Sequence, residues 1–244
     1  MTIEQIEVLR AGLQESFDLL VAKINKIQIG TKDQFPYGWR NAGKGRTVWR
    51  ILEEIITQNL EKNHSDFKLQ SITPSNSEVS VFDFECKLIG NETPIYINIK
   101  SAVLGGKKNK DDISKGIGLR DFYTEDVNKN FFVGTFFIKF NDDMTIEIDH
   151  ATVFPIVWIK DIYVNPSNNG NLQSAYYKDL NDAVKRTNAE FHELFINALD
   201  FAQSKKDAKA GDIIQEPEGK YLRKISGRWK EVQENGDEIG PTLF

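Results

Sequence analysis

Asp83, Asn98 and Lys100 are the side chains whose types and spacing could support chemistry. Alternation predicts strands over 79–89 and 95–100, joined by the short turn GNET at 90–93 as a β-hairpin. Residues of one parity share a strand face, so Asn98 and Lys100 project together, and the hairpin is expected to bring Asp83 beside them. An acid, an amide and an ammonium so placed suit phosphodiester hydrolysis. That reaction calls for oxygen ligands to a hard cation such as Mg²⁺, which binds through one or two carboxylates and keeps waters and substrate phosphate around it. Asp83 supplies the first ligand, and the peptide carbonyl of Ile99 a further oxygen. Lys100 is the positive group that would stabilise charge developing on the phosphate and hold the attacking water.

The elements that must position these groups follow from periodicity. Apolar residues at helical spacing predict one amphipathic helix over 3–27. The segment 36–46 reads as a Gly- and Pro-containing loop, and Thr47 as the cap of a helix over 48–62. Val48, Leu52, Ile55 and Asn59 centre that helix's inward face, with Glu53 nearer its edge than Glu54. Strands are expected at 67–72, 131–140, 145–149 and 153–163, whereas Gly116 and Gly118 interrupt 111–128 and make it a poor helix. A polar loop at 165–177 precedes helical periodicity over 178–204, and a small β-hairpin is expected in the tail from 211 to 244. The order implies an α/β core with a mixed central sheet flanked by helices over 1–210, carrying a C-terminal appendage over 211–244.

Composition limits the function classes. At 244 residues with 27% charged and 40% hydrophobic residues, the chain can bury a full core without disulfides or structural metal. Its single cysteine, Cys86, cannot pair within the chain and is expected in the core, so a cytoplasmic protein is expected. No stretch is long and apolar enough to suggest a membrane span. His64, His150 and His192 have no zinc-ligand spacing, and GKGR has no phosphate-loop spacing. A net charge of −5 excludes coating nucleic acid by bulk charge, yet basic residues gather at Arg40, Lys44, Arg46 and Arg50 and again at Lys107, Lys108 and Lys110. The second group is placed to hold phosphates. Asn168, Asn169, Asn171, Gln173 and Ser174 have the donors and acceptors that read base edges, and equally the composition of a turn-rich connection.

The run DFECKLIGNETPIYINIKSA resembles the acid, hairpin and (D/E)xK signature of the PD-(D/E)xK nucleases, especially type II restriction endonucleases. Asp83 matches the first acid, Lys100 the lysine, and Glu53 or Glu54 the helical third acid; FFVGTFFIKF and VNPSNNGNLQSAYY resemble the buried strand and the recognition loop of blunt-cutting members. The likeness covers roughly 45–177. It implies a restriction-endonuclease-like fold, Mg²⁺ with Mn²⁺ as a substitute, cleavage of double-stranded DNA at a short specific sequence, and a homodimer matching a palindromic site, with 1–27 or 178–204 as its interface. The family's second acid falls on Asn98, which is neutral. Three explanations stand: Asn98 ligates the metal through its amide oxygen while Glu53 supplies charge; the site is inactivated; or Glu85-Cys86-Lys87 serves instead, with Glu78 in place of Asp83. A binding-only relative, a structure-specific repair nuclease and an α/β protein unconnected with nucleic acid are the rival readings.

Overall fold

The computed structural model describes residues 1–40, 44–77, 80–106, 108–167 and 170–239, with side chains in the second helix from Val48 onward. Helix α1 (Ile3–Ile24) starts at a capping box, Thr2 with Gln5, and ends three residues short of the expected boundary. The chain then turns into a short strand, β1 (Lys26–Gln28). Helix α2 (Lys44–Lys62) is followed by β2 (Leu69–Pro74), β3 (Phe84–Leu88) and β4 (Ile95–Val103). Next come β5 (Asp111–Lys115), α3 (Gly116–Glu125), β6 (Asn130–Phe140) and β7 (Thr145–Pro155). Two short strands, β8 (Tyr163–Asn165) and β9 (Asn171–Ser174), precede α4 (Asn188–Asp207). The tail forms β10 (Ile213–Gln215), β11 (Tyr221–Ile225) and β12 (Arg228–Val232).

The central sheet has the order β1-β7-β6-β4-β3-β2. Only β4 and β6 run parallel; the other neighbours are antiparallel, which makes the sheet mixed. Ile95, Ile97 and Ile99 of β4 are buried on the face that meets α1: a Cβ built on Gly134, the β6 partner of Ile99, would strike both the Phe17 ring and Ile99. The opposite face carries Tyr96, Asn98 and Lys100, and Tyr96 meets Phe122 of α3 edge to face at 4.9 Å. Tyr123 of α3 in turn packs on Phe191 of α4. Helices therefore cover both faces of the sheet. Among the described residues no helix is long and apolar enough to cross a membrane.

Several expectations need correction. The expected strand 145–149 and the start of the expected strand 153–163 are one strand, β7, which follows β6 antiparallel past a bulge between Phe137 and Ile138; beyond Pro155 the chain forms a 3-10 turn at Ile156–Trp158, and only Tyr163 returns to a strand, in β8. The stretch 111–128 is β5 followed by α3; Gly116 opens that helix and Gly118 lies within its first turn. At Gly116 a Cβ would lie 2.0 Å from the carbonyl oxygen of Gly170, so close backbone approach requires glycine there. The expected loop 165–177 begins on the last residue of β8 and contains β9, and these two strands join β5 in a second sheet of order β5-β9-β8. Helix α4 begins at Asn188 and not at 178, where the Thr187–Glu190 capping box supplies the start. The tail is a three-stranded sheet, β10-β11-β12, whose Leu222 and Val232 are buried apart from the central core.

Candidate active site

The site is built where β3 begins against the middle of β4. The last registered pair of that ladder is Phe84 with Ile97, and Asp83 lies one residue beyond it. The Asp83 N–H donates to the Ile97 carbonyl at 2.8 Å, while the Asp83 carbonyl accepts from Ser75 N–H at 2.8 Å. With its carbonyl so engaged, Asp83 uses its side chain: the Ile99 N–H donates to Asp83 Oδ2 at 2.5 Å. The carboxylate is thereby fixed on the backbone of the residue between Asn98 and Lys100. Burial raises the Asp83 pKa, and the Ile99 N–H bond and the Lys100 ammonium oppose that rise.

Helix α2 contributes the second carboxylate. Its buried stripe is Val48, Leu52, Ile56 and Leu60, so the inward face runs through Ile56 and Leu60, not through Ile55 and Asn59. The Asn59 amide bonds its own helix, donating to the Ile55 carbonyl at 2.8 Å. Glu53, beside Leu52, is half-buried, and burial pushes its carboxyl up to about 7, with Lys100 opposing and the Asp83 charge reinforcing the shift. Glu53, Asp83 and Lys100 are thus within electrostatic reach of one another. Glu54 is exposed and accepts from Gln58 at 2.7 Å, which separates the two glutamates that the sequence left as alternatives.

Asn98 is held from the other side. Its Nδ2 donates to the Ile113 carbonyl of β5 at 2.7 Å. The β5-β9 ladder shifts register between Asp112 and Ser114, and the intervening Ile113 is the residue whose carbonyl Asn98 takes. A carbonyl only accepts, so the amide nitrogen must face β5, and Oδ1 is the atom left for other contacts. Two hydroxyls that the sequence did not single out lie in this neighbourhood. Thr135 pairs in register with Lys100, Ser114 follows Ile113, and both are buried without a hydrogen bond to protein. As isolated hydroxyls within strands they carry no sequence signal.

The donor set suits a hard cation. Asp83 and Glu53 offer carboxylates, and the Ile99 carbonyl and Asn98 Oδ1 are neutral oxygens on the same strand, β4. No cluster of three or more His, Cys, Asp or Glu forms among the described residues, and the carboxylates brought together here are Glu53 and Asp83. The Glu85/Lys87 alternative is otherwise engaged: Glu85 hydrogen-bonds Tyr96 and Lys87 pairs with Glu92 at 3.1 Å. Glu78 lies outside the described residues. Cys86 is in the core as expected, its thiol pushed up to about 12 by burial.

The expected DNA-contacting residues divide. Lys107, Asn168 and Asn169 lie outside the described residues, as do the side chains of Lys44 and Arg46. Lys108 pairs with Asp182 at 2.7 Å, and Lys110 lies over the Tyr163 ring at 4.1 Å with Asp161 at 3.8 Å. Asn171 and Gln173 both donate to Asp112, at 3.2 and 2.6 Å. Ser174 is fully buried against Asp161 and so is not placed to meet a base edge. A cleft of about 820 Å³ opens past Lys100 at the end of β4, bordered by Arg10, Ser101, Lys108, His150 and Lys178. The chain matches no protein-family model and no curated protein.

Proposed function

We propose that the protein is a divalent-metal-dependent endonuclease of the PD-(D/E)xK type, with a restriction-endonuclease-like fold, that cleaves double-stranded DNA at a short specific sequence as a homodimer. The observation that carries this reading is the convergence of Glu53 from α2, Asp83 at the start of β3 and Lys100 on β4. Asp83 and Glu53, with the Ile99 carbonyl, would hold Mg²⁺ or Mn²⁺, completed by substrate phosphate. Such an ion supplies charge stabilisation at the phosphoryl oxygens and lowers the pKa of a bound water. Lys100 places a positive charge beside the phosphate, and the Ile99 N–H fixes the rotamer of Asp83.

A plasmid incubated with Mg²⁺ or Mn²⁺ tests the reading. Discrete fragments from the chain as it stands, lost by at least about 100-fold in Asp83→Ala and Lys100→Ala, support it; removing one charge-stabilising donor costs catalysis on this order. Cleavage without sequence preference would favour a repair nuclease instead. The neutral Asn98 favours a second reading, a DNA-binding relative without cleavage, which predicts a sequence-specific gel shift and no product with either metal.

A further inference from the structure

The outer face of the β5-β9-β8 sheet carries a hydrogen-bond chain that the catalytic reading does not use. Asn165 Nδ2 donates to Gln173 Oε1 at 3.2 Å, Gln173 Nε2 donates to Asp112 Oδ1 at 2.6 Å, and Asn171 Nδ2 donates to Asp112 Oδ2 at 3.2 Å. Leu172 and Ser174 alternate with these amides and are buried, so Asn171 and Gln173 project from the opposite, solvent side of β9, where Asp112 is exposed. A carboxylate only accepts hydrogen bonds, so both amides must turn their nitrogens towards Asp112. Gln173 is then engaged at both ends. Asn171 keeps its Oδ1 as the acceptor fixed on the outward face.

We propose that this face reads the major groove of duplex DNA, and that Asp112 determines its specificity by locking Asn171 as an acceptor for the exocyclic amino group of adenine or cytosine. The proposal rests on the nuclease reading only for the choice of duplex DNA as occupant. The major groove admits a two-stranded ribbon such as β5-β9, and there those amino groups are the donors while guanine and thymine present acceptors at the corresponding positions. Lys110, exposed on the approach to β5 with Asp161 at 3.8 Å, lies where a phosphate flanking the groove would pass. The Asn98 to Ile113 bond attaches the same strand, β5, to β4 beside Lys100, so the face is continuous with the candidate site. An acid in such a surface opposes phosphate binding, and orienting the amides gives it a reason to be there.

Selection from a random duplex pool tests the proposal, using the full chain with Ca²⁺ replacing Mg²⁺ to hold back cleavage. The chain is expected to enrich one short sequence, and replacing the selected base with its analogue lacking the amino group should weaken binding at least tenfold. Asp112→Asn can offer either end of its amide to Asn171, so it should lose discrimination at that position about tenfold. An unchanged selected sequence and unchanged discrimination in Asp112→Asn would overturn the proposal, as would absence of enrichment by the unaltered chain. The two readings fail separately. Enrichment that Asp112→Asn relaxes, without cleavage under Mg²⁺ or Mn²⁺, removes the nuclease and keeps the base-reading face; cleavage with a preference indifferent to Asp112 does the reverse.

Discussion

Asn98 stands where the resemblance asks for an acid, and its hydrogen bond accounts for the amide. An aspartate there cannot donate to the Ile113 carbonyl, and would bring two acceptors together at the present 2.7 Å. Asn98→Asp is therefore expected to lower stability by about 1–3 kcal/mol, measured by urea unfolding, and not to raise cleavage. Glu53 gives a pH prediction. Its carboxyl holds its proton up to about 7 in the folded chain against 4.5 as its ordinary value, so between these pH values the native state binds more protons than the unfolded one. Stability contributed by this group is present below 4.5 and lost as pH rises to 7. Glu53→Gln should remove that loss and gain about 1–2 kcal/mol at pH 8, after allowance for partial solvent screening. If the proposed nuclease reading holds, cleavage would use the ionised Glu53 carboxylate and should rise with pH through about 7 at limiting Mg²⁺ in the unaltered chain. Strand parity, a local rule, set Asp83 and Lys100 together, whereas the helical wheel left Glu53 and Glu54 as alternatives and centred the inward face on Ile55 and Asn59, one residue from the buried Ile56 and Leu60. The Asp112 network was not legible, because its partners lie 59 and 61 residues away along the chain.

At the scale of elements, the long periodic segments were readable and the short strands were not. Helices α1 and α2 and strands β4 and β6 carry enough turns or alternations to declare themselves. Strands β8 and β9 have three and four residues, and the Pro, Ser, Asn and Gly residues between them read as a turn. The two segments become strands because β9 finds partners on both sides, in β5 and β8. Gly116 was misread for a related reason: sequence shows a helix-weakening residue, and only the carbonyl of Gly170 reveals why glycine is there. Gly116→Ala should therefore destabilise by about 3 kcal/mol or more, despite alanine's better helix propensity, since backbone must move to admit the methyl group. Thermal unfolding of the variant measures this, and a gain in stability would show that the β5-α3 junction yields.

On the scale of the whole molecule, the central core and the tail are nearly independent. Leu222 and Val232 are buried within the small terminal sheet, which is tied back mainly by Lys224 donating to the Ala208 carbonyl at 2.7 Å and by Lys205 near Glu216 at 3.8 Å. A chain ending at residue 210 should retain a cooperative unfolding transition and the central core's amide exchange protection. The tail hairpin was expected from its sequence, but the third strand, β10, was not, being only three residues long.

The central sheet also closes itself off at both edges. On one side β1 offers three residues, and on the other β2 carries a bulge between Leu69 and Ser71 and ends in Pro74. Short, bulged or proline-bearing edges give an incoming strand too few aligned amides to pair with. A second copy of the chain therefore cannot extend this sheet into a continuous one across the pair. Were two copies to associate, side chains on helices and loops would make the contact, where sequence can vary the fit without disturbing the hydrogen-bonded frame that holds Asp83 against Ile99.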